Sequence, residues 1–122
     1  MIKKPEEILK DKKISGAINA DFNWAEFIKP IDGMPTLEQL RNIKKTADVL
    51  SVYKHKLFGG AAVTVTCGFR SMTHHLKIYA EKGITDKGKI PMKSYHLSGL
   101  AVDFVVKGFT ISQLFKLMDI NP

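Results

Sequence analysis

The chain has 122 residues, 44% of them hydrophobic and 25% charged. That suits one globular domain, and it excludes a disordered chain or two full-sized domains. The single cysteine, Cys67, excludes a fold that depends on an internal disulfide. A formal charge of +7 favours an anionic partner such as nucleic acid, an acidic polymer or a membrane surface, and solubility accounts for it equally well.

The opening Met1-Ile2-Lys3-Lys4-Pro5-Glu6-Glu7 has basic residues but no apolar stretch behind them, unlike a secretory signal. No apolar run approaches the roughly 20 residues of a membrane helix. The expectation is a protein that is cytoplasmic as synthesised, with no membrane partner.

Residues 1–20 are Lys-rich and weakly patterned, and read as an irregular arm with at most a short helix. Phe22, Trp24 and Phe27 then cluster, as aromatics that anchor the arm on the core. Residues 21–122 are read as the domain proper. Thr36 and Gln39 fit a capping box. Leu37, Leu40, Ile43, Ala47, Leu50 and Leu57 follow at helical spacing, so a helix is predicted over 37–57.

Residues 61–67 alternate and are β-branched, which predicts a strand. Ser71 can cap a second helix over 72–81, closed by Gly83. A polar loop with Lys87, Lys89 and Lys93 leads to a second predicted strand over 100–106. Thr110 and Gln113 make another capping box, before a final helix faced by Ile111, Leu114, Phe115 and Met118. The pattern predicts a mixed α+β domain or a small βαβ-type sheet.

Asp103 stands out, because the predicted strand around it is apolar on both faces. A buried carboxylate must find a cation, a metal or hydrogen-bond donors, or become protonated. A structural salt bridge and a functional site are equally open from spacing alone. His96 lies seven positions earlier, with Ser98-Gly99 between them to turn the chain. A histidine nitrogen and a carboxylate oxygen can meet at a zinc ion, which takes N and O ligands. Arg70 follows the first strand and could hold a carboxylate or a developing oxyanion. His74 and His75 are helix neighbours pointing about 100° apart, so they do not chelate one ion together. His55 suits the end of its helix. Cys67, in an apolar strand, reads as a buried inert thiol.

Ser94-Tyr95-His96-Leu97-Ser98-Gly99-Leu100-Ala101-Val102-Asp103 fits Ser-x-His-x-x-Gly-x-Ala-x-Asp, with five fixed residues in ten positions. It resembles the D-alanyl-D-alanine carboxypeptidase group of zinc peptidases, whose fold is shared with the hedgehog signalling domain. Cys67-Gly68-Phe69-Arg70-Ser71 resembles that group's Ser-Gly-Tyr-Arg-Ser. The likeness spans about residues 22 to 118. It implies an α+β fold with an antiparallel sheet flanked by helices, and a zinc metallopeptidase. His96 and Asp103 would be zinc ligands, Arg70 would contact the substrate carbonyl or carboxylate, and Ser94 would shape the substrate site. The implied substrates are peptidoglycan peptides, trimmed or opened at cross-links, and a phage or prophage lysis or tail enzyme acting at the cell wall fits the absent signal.

The family's third zinc ligand and its glutamate base come from a later segment. After Asp103 this sequence has no His and no Glu, and Asp119 is the remaining carboxylate. The expectation is a domain truncated at its C-terminus and lacking the final strand, whose bare sheet edge could pair with another copy. Two further explanations stand beside it: a degenerate relative kept as a non-catalytic wall-binding or structural module, or a site completed by His74, His75 or a partner chain. A nucleic-acid binder ranks last, because the basic residues are scattered and no nucleic-acid motif is present.

Overall fold

In the computed structural model, which describes residues 1–28, 34–90 and 94–120, the longest element is a helix over Leu37–Lys56. Lys93, and the side chains of Lys87, Asp119 and Ile120, lie outside the described residues. Numbered in chain order, the helices are α1 Pro5–Asp11, α2 Trp24–Phe27, α3 Leu37–Lys56, α4 Met72–Glu81, α5 Tyr95–Ser98 and α6 Ile111–Ile120. The strands are β1 Val63–Cys67 and β2 Asp103–Val106. The fold is α+β, with a two-stranded antiparallel sheet among the described residues.

The start of α3 follows from its sequence. The Thr36 hydroxyl accepts from the Gln39 N–H at 3.1 Å, and Gln39 Oε1 accepts from the Thr36 N–H at 2.8 Å. Each bond satisfies a donor that the first turn leaves without an intrahelical partner. Leu40, Ile43, Ala47 and Leu50 fall on one stripe and are buried.

Against that stripe pack Ile8 of α1, Ile18, Phe22, and Trp24 and Phe27 of α2. The first twenty residues therefore hold a helix and supply two core side chains. Trp24 is fully buried, and its indole N–H donates to the Lys3 carbonyl at 2.9 Å, which ties the N-terminus down. Phe22 and Phe27 meet edge to face at 5.5 Å.

The sheet runs Val63↔Val106, Thr64↔Val105 and Val65↔Phe104, then slips so that Cys67 faces Asp103. Thr66 is the extra residue, a β-bulge. The strand predicted over 100–106 begins only at Asp103. Gly99 closes α5 in the left-handed region (φ +84°), and the Leu100 N–H still donates to the Tyr95 carbonyl at 2.9 Å. The chain is leaving a helix there, so it does not enter the ladder until 103.

Asp103 is also not buried as expected: its side chain is 62% exposed. Along β2, Phe104 and Val106 turn inward while Asp103 and Val105 face out. The apolar composition of both faces suggested a covered strand, but Val105 is left exposed.

Candidate metal centre

Three segments converge at the bulged end of the sheet. The first is Cys67-Gly68, leaving β1. Gly68 allows it: a Cβ there would sit 2.6 Å from the Phe27 carbonyl oxygen, so only glycine lets the two backbones touch. The Phe69 N–H then donates to that same carbonyl at 2.8 Å.

The second is α5, which carries His96. Ser94 caps it, accepting from the His96 N–H at 3.3 Å. Three side chains of α3 hold the carbonyls at its end. Gln39 Nε2 donates to Leu97 O at 3.1 Å, Asn42 Nδ2 to Ser98 O at 3.0 Å, and the Thr46 hydroxyl lies 2.8 Å from Gly99 O. Gly99 fits tightly against α3, since a Cβ would come within 2.8 Å of Ile43. These α3 residues were missed as site residues. Their signal was a polar stripe, 39, 42 and 46, at helical spacing beside the apolar one.

The third is the start of β2, with Asp103 opposite Cys67. Residues directly opposite in an antiparallel pair have Cβ atoms about 4.5–5.5 Å apart. Without the bulge, Thr66 would occupy that place.

His96 is fixed from two sides. Its carbonyl accepts from the Arg70 N–H at 2.9 Å, and its Nδ1 lies 2.8 Å from the Gly68 carbonyl oxygen. A carbonyl only accepts, so Nδ1 carries the proton. Nε2 is left pointing at Asp103 Oδ2, 3.5 Å away. A neutral imidazole there sets a nitrogen lone pair against a carboxylate oxygen. A positive species between them, a proton or a metal ion, resolves the conflict. The separation exceeds the usual 2.7–3.2 Å of an N–H···O bond. Two ligands of a tetrahedral zinc ion, each bonded at about 2.1 Å, lie about 3.4 Å apart. The pair therefore fits a metal, and the backbone carbonyl on the other ring nitrogen is the usual support for a metal-bound histidine.

Cys67 corrects its sequence reading. It is partly exposed rather than buried, and its Sγ is 3.8 Å from His96 Nδ1. Among the described residues, Cys67, His96 and Asp103 each offer a donor atom within 4.8 Å of the others. The thiol was expected to be buried because alternation alone cannot register a bulge.

Arg70 lies beside the site through its backbone, but its side chain turns elsewhere. Its Nη1 is 3.2 Å from Nδ1 of His75, and its Nε is buried with no hydrogen-bond partner among the described residues. His75 is fully buried at the start of α4. His55, at the far end of α3, pairs with Asp21 at 3.0 Å. Ser94 borders a cleft of about 450 Å³ between α5 and the start of α3, lined by Thr36, Gln39, Asn42 and Tyr95 among others. No family model, curated protein or solved structure matches the chain.

Proposed function

We propose that this chain is a zinc-dependent peptidase domain acting on D-amino-acid peptides of peptidoglycan, with the fold of the D-alanyl-D-alanine carboxypeptidase and hedgehog group. The observation that carries the reading is the His96 Nε2 to Asp103 Oδ2 separation of 3.5 Å, with Nδ1 held by the Gly68 carbonyl. It occurs inside the segment that resembles the family's ligand motif.

His96 and Asp103 would hold the ion. When bound, zinc supplies Lewis acidity toward a carbonyl and lowers the pKa of a coordinated water. The chain's own residues do the rest. Gly68 fixes the imidazole tautomer, and Gln39, Asn42 and Thr46 fix the turn that carries it. Among the described residues the buried Nε–H of Arg70 has no acceptor, a state that costs about 1–3 kcal/mol. A substrate carboxylate would relieve that cost by drawing the guanidinium toward it. Ser94 and Tyr95 border the cleft where a peptide could lie. The net charge of +7 favours acidic wall polymers.

The test is incubation of the zinc-loaded chain with a peptide ending in D-Ala-D-Ala and, separately, with cross-linked peptidoglycan fragments. Release of D-alanine or of a new amine, abolished by chelator and by His96→Ala, is the expected result. Binding to peptidoglycan without release, unchanged by chelator, would replace this reading with a non-catalytic wall-binding module.

A further inference from the structure

We infer that Cys67 supplies a thiolate as the third protein ligand, making a sulfur, nitrogen and oxygen metal site. This rests on the reading of His96 and Asp103 as metal ligands and adds a donor from within the chain.

Three observations converge. The bulge at Thr66 turns Cys67 onto the side of the sheet where it faces Asp103, so two donors sit directly opposite one another on the ladder. Bulges commonly re-aim a side chain in this way next to functional sites. The Cys67 sulfur lies 3.8 Å from His96 Nδ1, the ring nitrogen that Gly68 holds, and one donor atom from each of the three residues lies within 4.8 Å of the others. A tetrahedral zinc bonded to sulfur at about 2.3 Å and to nitrogen at about 2.1 Å separates those atoms by about 3.6 Å. Bringing a sulfur and a nitrogen from the 4.8 Å outer bound of the cluster to that separation asks for a shift of about 1 Å, less than a side-chain rotation supplies. The thiol's contact with the Gly68 carbonyl, at 3.9 Å, is a weak one to give up.

The chemistry of the set is coherent. Thiolate, imidazole and carboxylate suit zinc, and three protein ligands leave a fourth position open to water or substrate. Asp103 is largely exposed, so the open position can face solvent. Cysteine must lose its proton to bind, so metal uptake releases it to solvent and weakens as pH falls.

Cobalt(II) is the probe, because a thiolate ligand gives it a charge-transfer absorption in the near ultraviolet that nitrogen and oxygen ligands do not. The full chain is titrated with cobalt(II) beside Cys67→Ser, Cys67→Ala, His96→Ala and Asp103→Ala, each checked for fold by circular dichroism. Alkylation of Cys67 is timed with and without zinc in the native chain, where it is the single thiol. The inference expects the thiolate band in the native chain and its loss in both Cys67 variants. Affinity should fall by roughly tenfold or more, since even outer partners of a ligand cost about 10–100-fold. Zinc should slow alkylation. Cobalt bound through His96 and Asp103 with no thiolate band, and with alkylation unaffected by zinc, would overturn the role of Cys67 and leave the two-donor reading standing. A thiolate band that survives His96→Ala and Asp103→Ala would overturn the shared site. Absence of cobalt binding in the native chain would overturn both.

Discussion

The region around α3 and the region around β2 and α6 are built differently. In the first, the described core runs from Ile8 through Trp24 and Phe27 to Leu40, Ile43 and Leu50, with each of these side chains essentially closed to solvent. In the second, the buried cluster is Phe58, Val106 and Leu114, while Leu100, Val105, Ile111 and Phe115 stay about half exposed or more. An apolar hollow of about 370 Å³ opens between α3, β2 and α6, lined by Val49, Tyr53, Val102, Phe104 and Met118 among others. The candidate metal centre stands on the seam. Its histidine is clamped to the well-packed side through α3, and its carboxylate projects from the sparser side. The difference teaches where the site's rigidity comes from: the first region positions His96, and the sheet brings Asp103 to it.

Substitutions in the two regions should therefore differ most in stability. Trp24→Ala removes a fully buried indole and its bond to the Lys3 carbonyl. It should cost about 3–5 kcal/mol, near the whole stability of a small domain. Leu114→Ala, in the sparse cluster, should cost about 2 kcal/mol, because its site is already partly open. Urea melts of the two variants measure the contrast, and equal losses would break the comparison.

Gly99→Ala acts at the seam. The left-handed conformation costs a non-glycine residue about 1–2 kcal/mol, and the new methyl would press on Ile43. Zinc affinity should fall together with stability. A variant with normal affinity would mean that α3 does not position His96. Asn42→Ala is the milder version, losing one bond to the Ser98 carbonyl, for about 1 kcal/mol by the same melts.

Much of this was legible in the sequence, and the exceptions have physical causes. The α3 boundaries, the α4 span and the capping boxes follow from local chemistry that does not depend on tertiary context. The meeting of His96 and Asp103 was inferred from a spacing and a turn-making glycine, and the two side chains do meet. Asp103 was expected buried, because strand patterning reports which residues could be covered and not whether anything covers them. Cys67 was set aside because one inserted residue, Thr66, reverses which side of the strand it occupies. The supporting bonds from Gln39, Asn42 and Thr46 link residues more than fifty positions apart, and no local pattern carries such a pairing.

The smallest expected effect lies in the first region. Burial pushes the Asp21 carboxyl up, but the hydrogen bond and charge of His55 and the charge of Lys54 outweigh it, so its pKa is held below the usual carboxylate value. The unfolded chain then takes up this proton more readily than the folded one. The stabilisation is present above about pH 4 and is lost as pH falls through the lowered folded value. Asp21→Asn should cost no more than about 1 kcal/mol at neutral pH and flatten that part of the acid limb in a stability-against-pH series.

The central claim is that the facing donors of His96 and Asp103 hold a metal rather than a shared proton. Calorimetric titration of the full chain with zinc, beside His96→Ala and Asp103→Ala, tests it directly. The account predicts one zinc ion per chain in the native protein and loss of that binding in both variants. Native binding no tighter than that of the variants would contradict it, and would reduce the pair to an ordinary histidine–aspartate ion pair.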